Sequence, residues 1–425
     1  MWSAAARRSL ELAVGVGRRR FSAAASTAAP AAGTLYMCGT GESHKLGLGE
    51  TKDRENPTLV EALKDTPIVH VACGKYHSAA VSSDGDVYVW GLESSGQLGL
   101  GSARTKAHTP TKVEALSGKG VTQLSCGMYH TLALTAAGEV YSCGFGGSLL
   151  NGAGGLGHGN RTQLEAFAKL ASFGPDGTEG VAAATVSAGG YHSVVLDREG
   201  GVWTFGRGEW GRLGHGDASD CLAPTRVLAP ARLEGEESPF GPSLVAQAGE
   251  GHTGVLGVDG MAYTWGRNEH WQLGYEVVGL LNSGQSFDAQ QEPQAVEIAI
   301  EIGSQEGGKP TPKATRFACG ESGTAALLED GRVFVWGMQR FFQPTLVPGA
   351  DQLGSEIVDL QVGASHLALR TASGHLYTYG VGPSLALAKL HRKQWELAEV
   401  NAHSLDGAKV VGMACGPYST ALIVG

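Results

Sequence analysis

The chain has 425 residues and a formal net charge of −9, with 65 glycines, about twice the usual share, and only 17% charged residues against roughly 25% in ordinary domains. Glycine does not recur at every third position, which excludes collagen, and 42% hydrophobic residues is too many for a disordered glycine-rich tract, so a folded, turn-rich protein remains. No run approaches the ~18 uninterrupted apolar residues of a membrane helix, and the most helical-looking segment, Leu385 to Leu397, is full of charge.

Residues 1–21 differ from the rest. They hold Arg7, Arg8, Arg18, Arg19 and Arg20, a single acid (Glu11), and Leu10, Leu12, Val14 and Val16 among Ala and Ser. An Arg-rich, acid-poor segment able to form an amphipathic helix reads as a mitochondrial transit peptide, and Arg19-Arg20-Phe21-Ser22 resembles a processing site cut after Phe21. The competing reading is a basic tail that binds nucleic acid. The absence of Lys and the apolar spacing favour the mitochondrial matrix. Residues 22–33 read as a linker. Residues 34–425 are more acidic than the chain as a whole, which argues against broad binding to phosphate backbones.

From residue 34 onward one pattern recurs. An apolar strand ends in a small residue and Gly; after two intervening residues comes a His, then an apolar run, a Gly turn, and a strand ending in an aromatic residue and Gly. The clearest copy is Val71-Ala-Cys-Gly-Lys-Tyr-His-Ser-Ala-Ala-Val81, Asp84-Gly85 and Val87-Tyr-Val-Trp-Gly91. The first glycine recurs at Gly74, Gly127, Gly189, Gly249, Gly320, Gly363 and Gly416; the second at Gly39, Gly91, Gly144, Gly206, Gly266, Gly337 and Gly380. The seven copies are therefore offset, so that the chain opens with a second half and closes with a first half. Pairing Met413 to Val424 with Leu35 to Gly49 would close a ring and leave no bare sheet edge there. Alternating runs such as Arg332-Val333-Phe334-Val335-Trp336 predict strands, Asp84-Gly85, Asp259-Gly260 and Asp330-Gly331 predict hairpin turns, and Pro57, Pro110, Pro224, Pro293 and Pro344 each open a further strand. Fold class is thus all-β: one seven-bladed propeller over residues 34–425.

These residues resemble the regulator of chromosome condensation repeat family, through Cys73-Gly-Lys-Tyr-His77, Val87-Tyr-Val-Trp-Gly91 and Gly96-Gln-Leu-Gly-Leu-Gly101. The resemblance implies a seven-bladed propeller, and a family that includes guanine-nucleotide exchange factors and organellar assembly or RNA-processing factors. Light sensing, as in a plant member, would need repeated Gly-Trp-Arg-His-Thr. That repeat is absent, and Glu209-Trp210-Gly211-Arg212 and His270-Trp271 resemble it only in part.

His77, His130, His192, His252 and His366 could suggest a metal centre, but repeat-equivalent positions lie around a ring, too far apart for bonds of about 2 Å to one ion. They are expected to hydrogen-bond inside each blade and fix a turn. Cys73, Cys126, Cys319 and Cys415 fill the small position before glycine, Cys38 and Cys143 replace the aromatic residue, and only Cys221 lies outside the register, so buried small hydrophobes are expected rather than zinc ligands or disulfides. Gly39-Thr-Gly41 and Gly144-Phe-Gly-Gly147 lack the strand-to-helix setting and the Gly-Lys-Ser/Thr step of a phosphate loop, and no Gly-x-Ser-x-Gly or His-Glu-x-x-His occurs. The expectation is no cofactor, no metal and no covalent chemistry.

The repeat breaks in three places. The loop Phe145 to Gly155, with Leu149 and Leu150, is enlarged; family exchange factors carry an inserted wedge in a comparable loop, and a plain flexible loop is the other reading. After Gly337 comes Met338-Gln-Arg-Phe-Phe342, and after Gly380 a segment ending Leu390-His-Arg-Lys-Gln-Trp395, both without Leu-Gly-x-Gly. Aromatic and Arg side chains dominate interface hot spots, so Phe341, Phe342, Arg392 and Trp395 are candidate partner contacts, with core filling as the alternative for Phe342 and Trp395. The segment Glu276 to Pro312 reads as a loop in which Val296 to Ile302 forms a strand. The function expected is that of a mitochondrial, non-catalytic propeller binding a protein partner, a GTPase or a large mitochondrial complex; the alternative is a guanine-nucleotide exchange factor.

Overall fold

The computed structural model describes residues 31–101, 106–148, 152–178, 180–228, 242–277, 289–296, 298, 312–381, 394–400, 405 and 407–425. The four strands of each repeat bury differently, and this explains their composition. The first strand, such as Ile68–Cys73, lines a central channel. The second, His77–Ser82 and its equivalents His130–Thr135, His192–Asp197, His252–Gly257, Gly323–Leu328 and Ser419–Val424, is buried at every position. Both faces of that strand meet neighbouring blades, so it carries small and aliphatic residues instead of an alternating pattern. The third holds the large core aromatics, with Trp90, Trp265 and Trp336 fully buried. The outermost is largely exposed, and its prolines, expected to open it, instead lie within it, Pro57 in Arg54–Leu59, Pro110 in Lys106–Lys112, Pro224 in Cys221–Arg226, Pro293 in Ala289–Val296 and Pro344 in Phe341–Leu346, where a missing N–H blunts the free edge.

Each repeat is one antiparallel sheet of four strands in chain order, giving blades 1 to 6 at residues 68–112, 121–169, 183–226, 243–296, 314–346 and 357–399. Blade 7 is composite. Val410–Cys415 and Ser419–Val424 pair with Thr34–Gly39 and Arg54–Leu59 from the other end of the chain, in the register Leu35↔Ile423 and Tyr36↔Leu422. The expected closure is therefore present and wider than the sequence suggested, because it includes the strand starting at Arg54. In blade 4 the outer strand is Ala289–Val296, pairing Val296 with Ala262 and Ala289 with Arg267. Of the expected strand over Val296 to Ile302, Val296 belongs to this ladder, and residues 297 and 299–302 lie outside the described residues.

The first glycine of each repeat closes the ring. A Cβ on Gly74 would lie 2.5 Å from the Gly127 carbonyl oxygen, one on Gly127 2.4 Å from that of Gly189, one on Gly189 2.5 Å from that of Gly249, and the series continues through Gly320, Gly363 and Gly416 back to Gly74. Seven backbones touch in a circle at one mouth of the channel, and only glycine permits the approach.

The histidines overturn the expectation of bonds within a blade. Each reaches the next blade: His77 Nε2 lies 2.7 Å from Thr131 Oγ1, His130 2.9 Å from Ser193 Oγ, His192 3.0 Å from Thr253 Oγ1, His252 3.0 Å from Thr324 Oγ1, and His366 3.3 Å from Thr420 Oγ1. The hydroxyl in turn donates to a carbonyl in the Leu-Gly loop of the preceding blade, Thr131 to Gln97 at 2.6 Å, Ser193 to Gly155 at 2.7 Å, Thr253 to Arg212 at 2.7 Å and Thr324 to Gln272 at 2.8 Å. A hydroxyl with its proton committed accepts from the imidazole, so Nε2 carries the hydrogen. The Trp265 indole N–H joins the same Arg212 carbonyl at 3.0 Å, as Trp90 joins Lys45 at 2.8 Å. The sequence register could not separate a bond within a blade from one between blades, since each blade presents the same residues to its own and its neighbour's strands. Burial pushes these imidazoles down, His77 and His252 to about 3 and His130 and His366 to about 4.

The thiols are pushed upward by burial; Cys126 is buried in the core, and Cys73, Cys319 and Cys415 are half-buried, packing against the core where they line the channel mouth. All seven cysteines are free.

Candidate functional site

The loops joining first to second strands and those following third strands share one face. At its centre the Lys75 ammonium reaches across the channel mouth to Glu250 at 3.3 Å and Glu321 at 3.0 Å. Burial opposes the charge on Lys75, but the two carboxylates outweigh it and raise its pKa; burial and then the neighbouring Glu250 raise that of Glu321. The space at this mouth is about 90 Å³, well below the ~300–1,000 Å³ of small-molecule pockets. Around it Tyr76, Tyr129 and Tyr191 form a chain of rings with centroids 5.5 and 5.9 Å apart.

Outward from this centre, over blades 3 to 6, aromatic and arginine side chains form an arc. Trp210 lies between two guanidiniums, Arg212 at 4.6 Å and Arg267 at 4.4 Å from its ring. Arg212 and Arg207 meet the Glu209 carboxylate, and Arg267 meets that of Glu269. Trp271 packs on Phe342 with centroids 3.9 Å apart and ring planes tilted by 37°. Phe341, Tyr379 and Trp395 interlock edge to face at 5.4 and 5.8 Å, and Arg340 lies 4.3 Å over the Trp395 ring. Trp210 and Trp271 adopt φ of 63° and 61°, and Trp271 occupies the place held by Gly96 in blade 1. A bulky residue in the left-handed region costs ~1–2 kcal/mol, so these two rings are presented at the expense of local stability.

Blade 5 arrives at this face by a different route. Gly337 to Arg340 is a tight hairpin turn: the Arg340 N–H donates to the Gly337 carbonyl at 3.1 Å, and both central residues, Met338 (φ 55°) and Gln339 (φ 57°), have positive φ. That is the type I′ geometry that normally takes Asn-Gly. Met338 is 3% exposed and fills the place of the missing histidine, since a Cβ on Gly323 would lie 2.6 Å from its Cγ.

Of the residues expected to contact a partner, the structure brings Phe341, Phe342 and Trp395 together on the arc. Phe342 is 62% exposed; Phe341 and Trp395 are half-buried and also pack against the core between blades 5 and 6, so core filling and surface display coincide there. Leu149, Leu150 and Arg392 lie outside the described residues. The base of the enlarged loop is no plain coil: Gly147–Ser148 pairs with Gly152–Ala153, and Asp220 of blade 3 holds it by accepting from the Ala153 N–H at 2.7 Å, the Gly208 N–H at 3.0 Å and Arg161 at 3.2 Å. Sequence reasoning did not select Trp210, Trp271, Arg340 or Tyr379. For Trp271 the available signal was a tryptophan where blades 1 and 3 have Gly96 and Gly211; Trp210 stands at the place of Ser95.

Residues 21–346 match the RCC1-like domain family, ending at the last residue of blade 5. The ultraviolet-B receptor UVR8 of Arabidopsis thaliana is 31% identical over 353 residues, 82% of this chain and 70% of the receptor. The human E3 ubiquitin-protein ligase HERC2 is 32% identical over 304 residues, 71% of this chain but only 6% of that protein. Among solved structures, Prp20p of Saccharomyces cerevisiae, described for its binding to Gsp1p and histones, superposes with a TM-score of 0.75 at 18% identity, covering 93% of this chain and 92% of Prp20p. Human WBSCR16 gives 0.70 at 20% identity, covering 92% and 98%. These two likenesses establish the fold. Together with the seven glycine-closed blades, the sequence matches show that the chain belongs to the RCC1-like family.

Proposed function

We propose that this protein is a non-catalytic propeller of the mitochondrial matrix that recognises a protein partner through the loop face of blades 3 to 6, serving as an assembly or regulatory factor for an organellar complex or RNA process. The observation that carries the binding face is the strained display of Trp210 and Trp271: rings held where glycine would be free of strain are retained for what they touch. The observation behind the compartment is the Arg-rich, acid-poor segment 1–21. Trp271→Gly should relieve strain while removing the ring that packs on Phe342. Tagged wild type and Trp271→Gly, compared for co-purified protein and RNA from mitochondria, should give equal recovery of the bait and loss of a partner with the variant; identical partners would refute the face. A fluorescent protein fused after residue 33 should enter mitochondria, and recovery of the tagged full chain only in nuclei would refute the compartment.

A second reading is exchange on a small or mitochondrial GTPase. The Asp220-held hairpin beside the arc favours it, as a firm element that could bear on a bound partner. Exchange requires no covalent step, only preference for the nucleotide-free GTPase. Stoichiometric protein that fails to accelerate GDP release from candidate mitochondrial GTPases would eliminate this reading.

A further inference from the structure

We infer that the rim of blades 5 and 6 around Arg340 binds an acidic, leucine- or aromatic-bearing extended segment of the partner; this rests on the loop face being the protein-binding face. Three observations converge on that occupant. First, Arg207, Arg212 and Arg267 on the same arc each meet a glutamate, whereas Arg340 is exposed and has no carboxylate within 4 Å among the described residues. Its guanidinium lies over Trp395 at 4.3 Å and Phe341 at 5.5 Å, so one face is covered and its N–H edges stay open to a carboxylate. Second, Phe342 at 62% exposure and Trp271 packed against it supply an apolar contact beside that charge.

The third is a missing backbone bond. The loop of each preceding blade donates one N–H to the outer strands of blades 1 to 4: Gly49 to the His108 carbonyl at 3.1 Å, Gly101 to Glu165 at 2.8 Å, Gly159 to Leu222 at 2.8 Å and Gly216 to Gln291 at 3.2 Å. Register places Phe342 and Trp395 at the equivalent positions of blades 5 and 6, one residue beyond the partners of Gly337 and Gly380. Among the described residues no loop N–H reaches either carbonyl. An extended segment can donate there while its acidic side chain meets Arg340 and an apolar one meets Phe342. A single uncompensated Arg is too little for a phosphate backbone, which takes several cations.

The test uses the full chain and fluorescence anisotropy with three labelled probes: a short peptide of alternating Glu and Leu, its Lys-Leu counterpart, and a short single-stranded RNA. The net charge of −9 disfavours non-specific capture of an acidic peptide, and dependence on Arg340 separates binding at this rim from binding by the Arg-rich residues 1–21. The Glu-Leu peptide should bind, Arg340→Gln should weaken it about tenfold, as loss of one charge-assisted contact does, and Phe342→Ser should weaken it too. Arg332→Gln, which removes the partner of Asp330 at the distant hairpin turn, should leave it unchanged. No binding of the Glu-Leu peptide, indifference to Arg340→Gln, or tighter Arg340-dependent binding of either other probe would overturn the inference. Partner capture that Trp271→Gly abolishes and Arg340→Gln spares would sink this inference while leaving the binding face intact.

Discussion

Blades 1 to 4 and blades 5 to 6 solve the same packing problem with different chemistry. In the first region an imidazole, a hydroxyl, a loop carbonyl and, in one case, an indole form a chain of hydrogen bonds across each blade interface. At the seam between blades 5 and 6 the histidine is Gly323, the hydroxyl position is Leu367, and the Leu-Gly loop is a two-residue hairpin whose Met338 fills the space. The polar pieces have gone together. That is the economical change, because a histidine left without its hydroxyl would be a buried unsatisfied donor, whereas replacing every partner by apolar groups avoids that penalty. The outer strand of blade 6, which follows the shortened loop, carries Trp395 where the others carry a loop contact, and that of blade 5 carries Phe342, which meets Trp271 from the loop of blade 4. The difference teaches that one arc is built in two ways: blades 3 and 4 keep the polar latch and display Trp210 and Trp271 from their loops, whereas blades 5 and 6, without it, display Phe342 and Trp395 from their outer strands.

Acid should separate the two regions most strongly. Burial lowers the folded pKa of His77, His130, His252 and His366 to about 3 to 4, and that of His192 as well, against 6.5 unfolded. The unfolded chain therefore takes up protons first as pH falls. The stability these groups contribute is full above 6.5 and declines towards pH 3 to 4, by about 1.4 kcal/mol per pH unit for each histidine. Four of the five lie at interfaces following blades 1 to 4 and none at the seam between 5 and 6. Hydrogen exchange at pH 4.5 should show protection lost first in blades 1 to 4; earlier loss in blades 5 and 6 would break the comparison.

The ring of glycines is common to both regions and should not distinguish them. Gly127→Ala and Gly320→Ala place a Cβ 2.4 and 2.2 Å from a neighbouring backbone oxygen, which cannot rotate away. Each should cost about 3 kcal/mol, seen as a lower denaturation midpoint with little difference between them. A mild effect at Gly320 alone would mean that the seam yields where the latched interfaces do not.

A double-mutant cycle sharpens the latch itself. Thr253→Val keeps the shape and removes the hydroxyl between His192 and the Arg212 carbonyl, an expected loss of about 2 kcal/mol. Combined with His192→Ala it should show coupling of about 1 kcal/mol or more, and strict additivity in urea melts would deny that the bonds act as a unit.

The repeat was legible because glycine, His and the aromatic-Gly strand end sit at positions where close approach or burial leaves few options. Closure through Leu35 and Ile423 followed from the offset of the two glycine series. Direction was not legible. A pattern repeated in every blade cannot say whether His77 bonds its own sheet or the next one, nor that Gly323 and Leu367 were lost as a pair. The site was half legible: Phe341, Phe342 and Trp395 stood out as departures, while Trp271 and Arg340 depend on backbone φ and on which carboxylates lie nearby, neither of which composition reports.

The smallest effect tests whether strain or contact maintains the blade 5 hairpin. Gln339 is exposed with φ 57° and Met338 is buried with φ 55°, so the two central residues of one turn bear similar strain for different returns. Gln339→Gly removes the left-handed penalty and costs some unfolded-state entropy, leaving a net gain of about 0.5 kcal/mol. Met338→Gly removes the same penalty but empties the space beside Gly323, and should lose about 2 kcal/mol or more. Thermal melts of the two variants should therefore move in opposite directions. Because Gln339→Gly keeps Arg340 and its ring contacts, it should also leave Glu-Leu peptide binding unchanged. A variant that gains stability yet loses the peptide would show that the exposed glutamine, and not the guanidinium beside it, is what the hairpin presents.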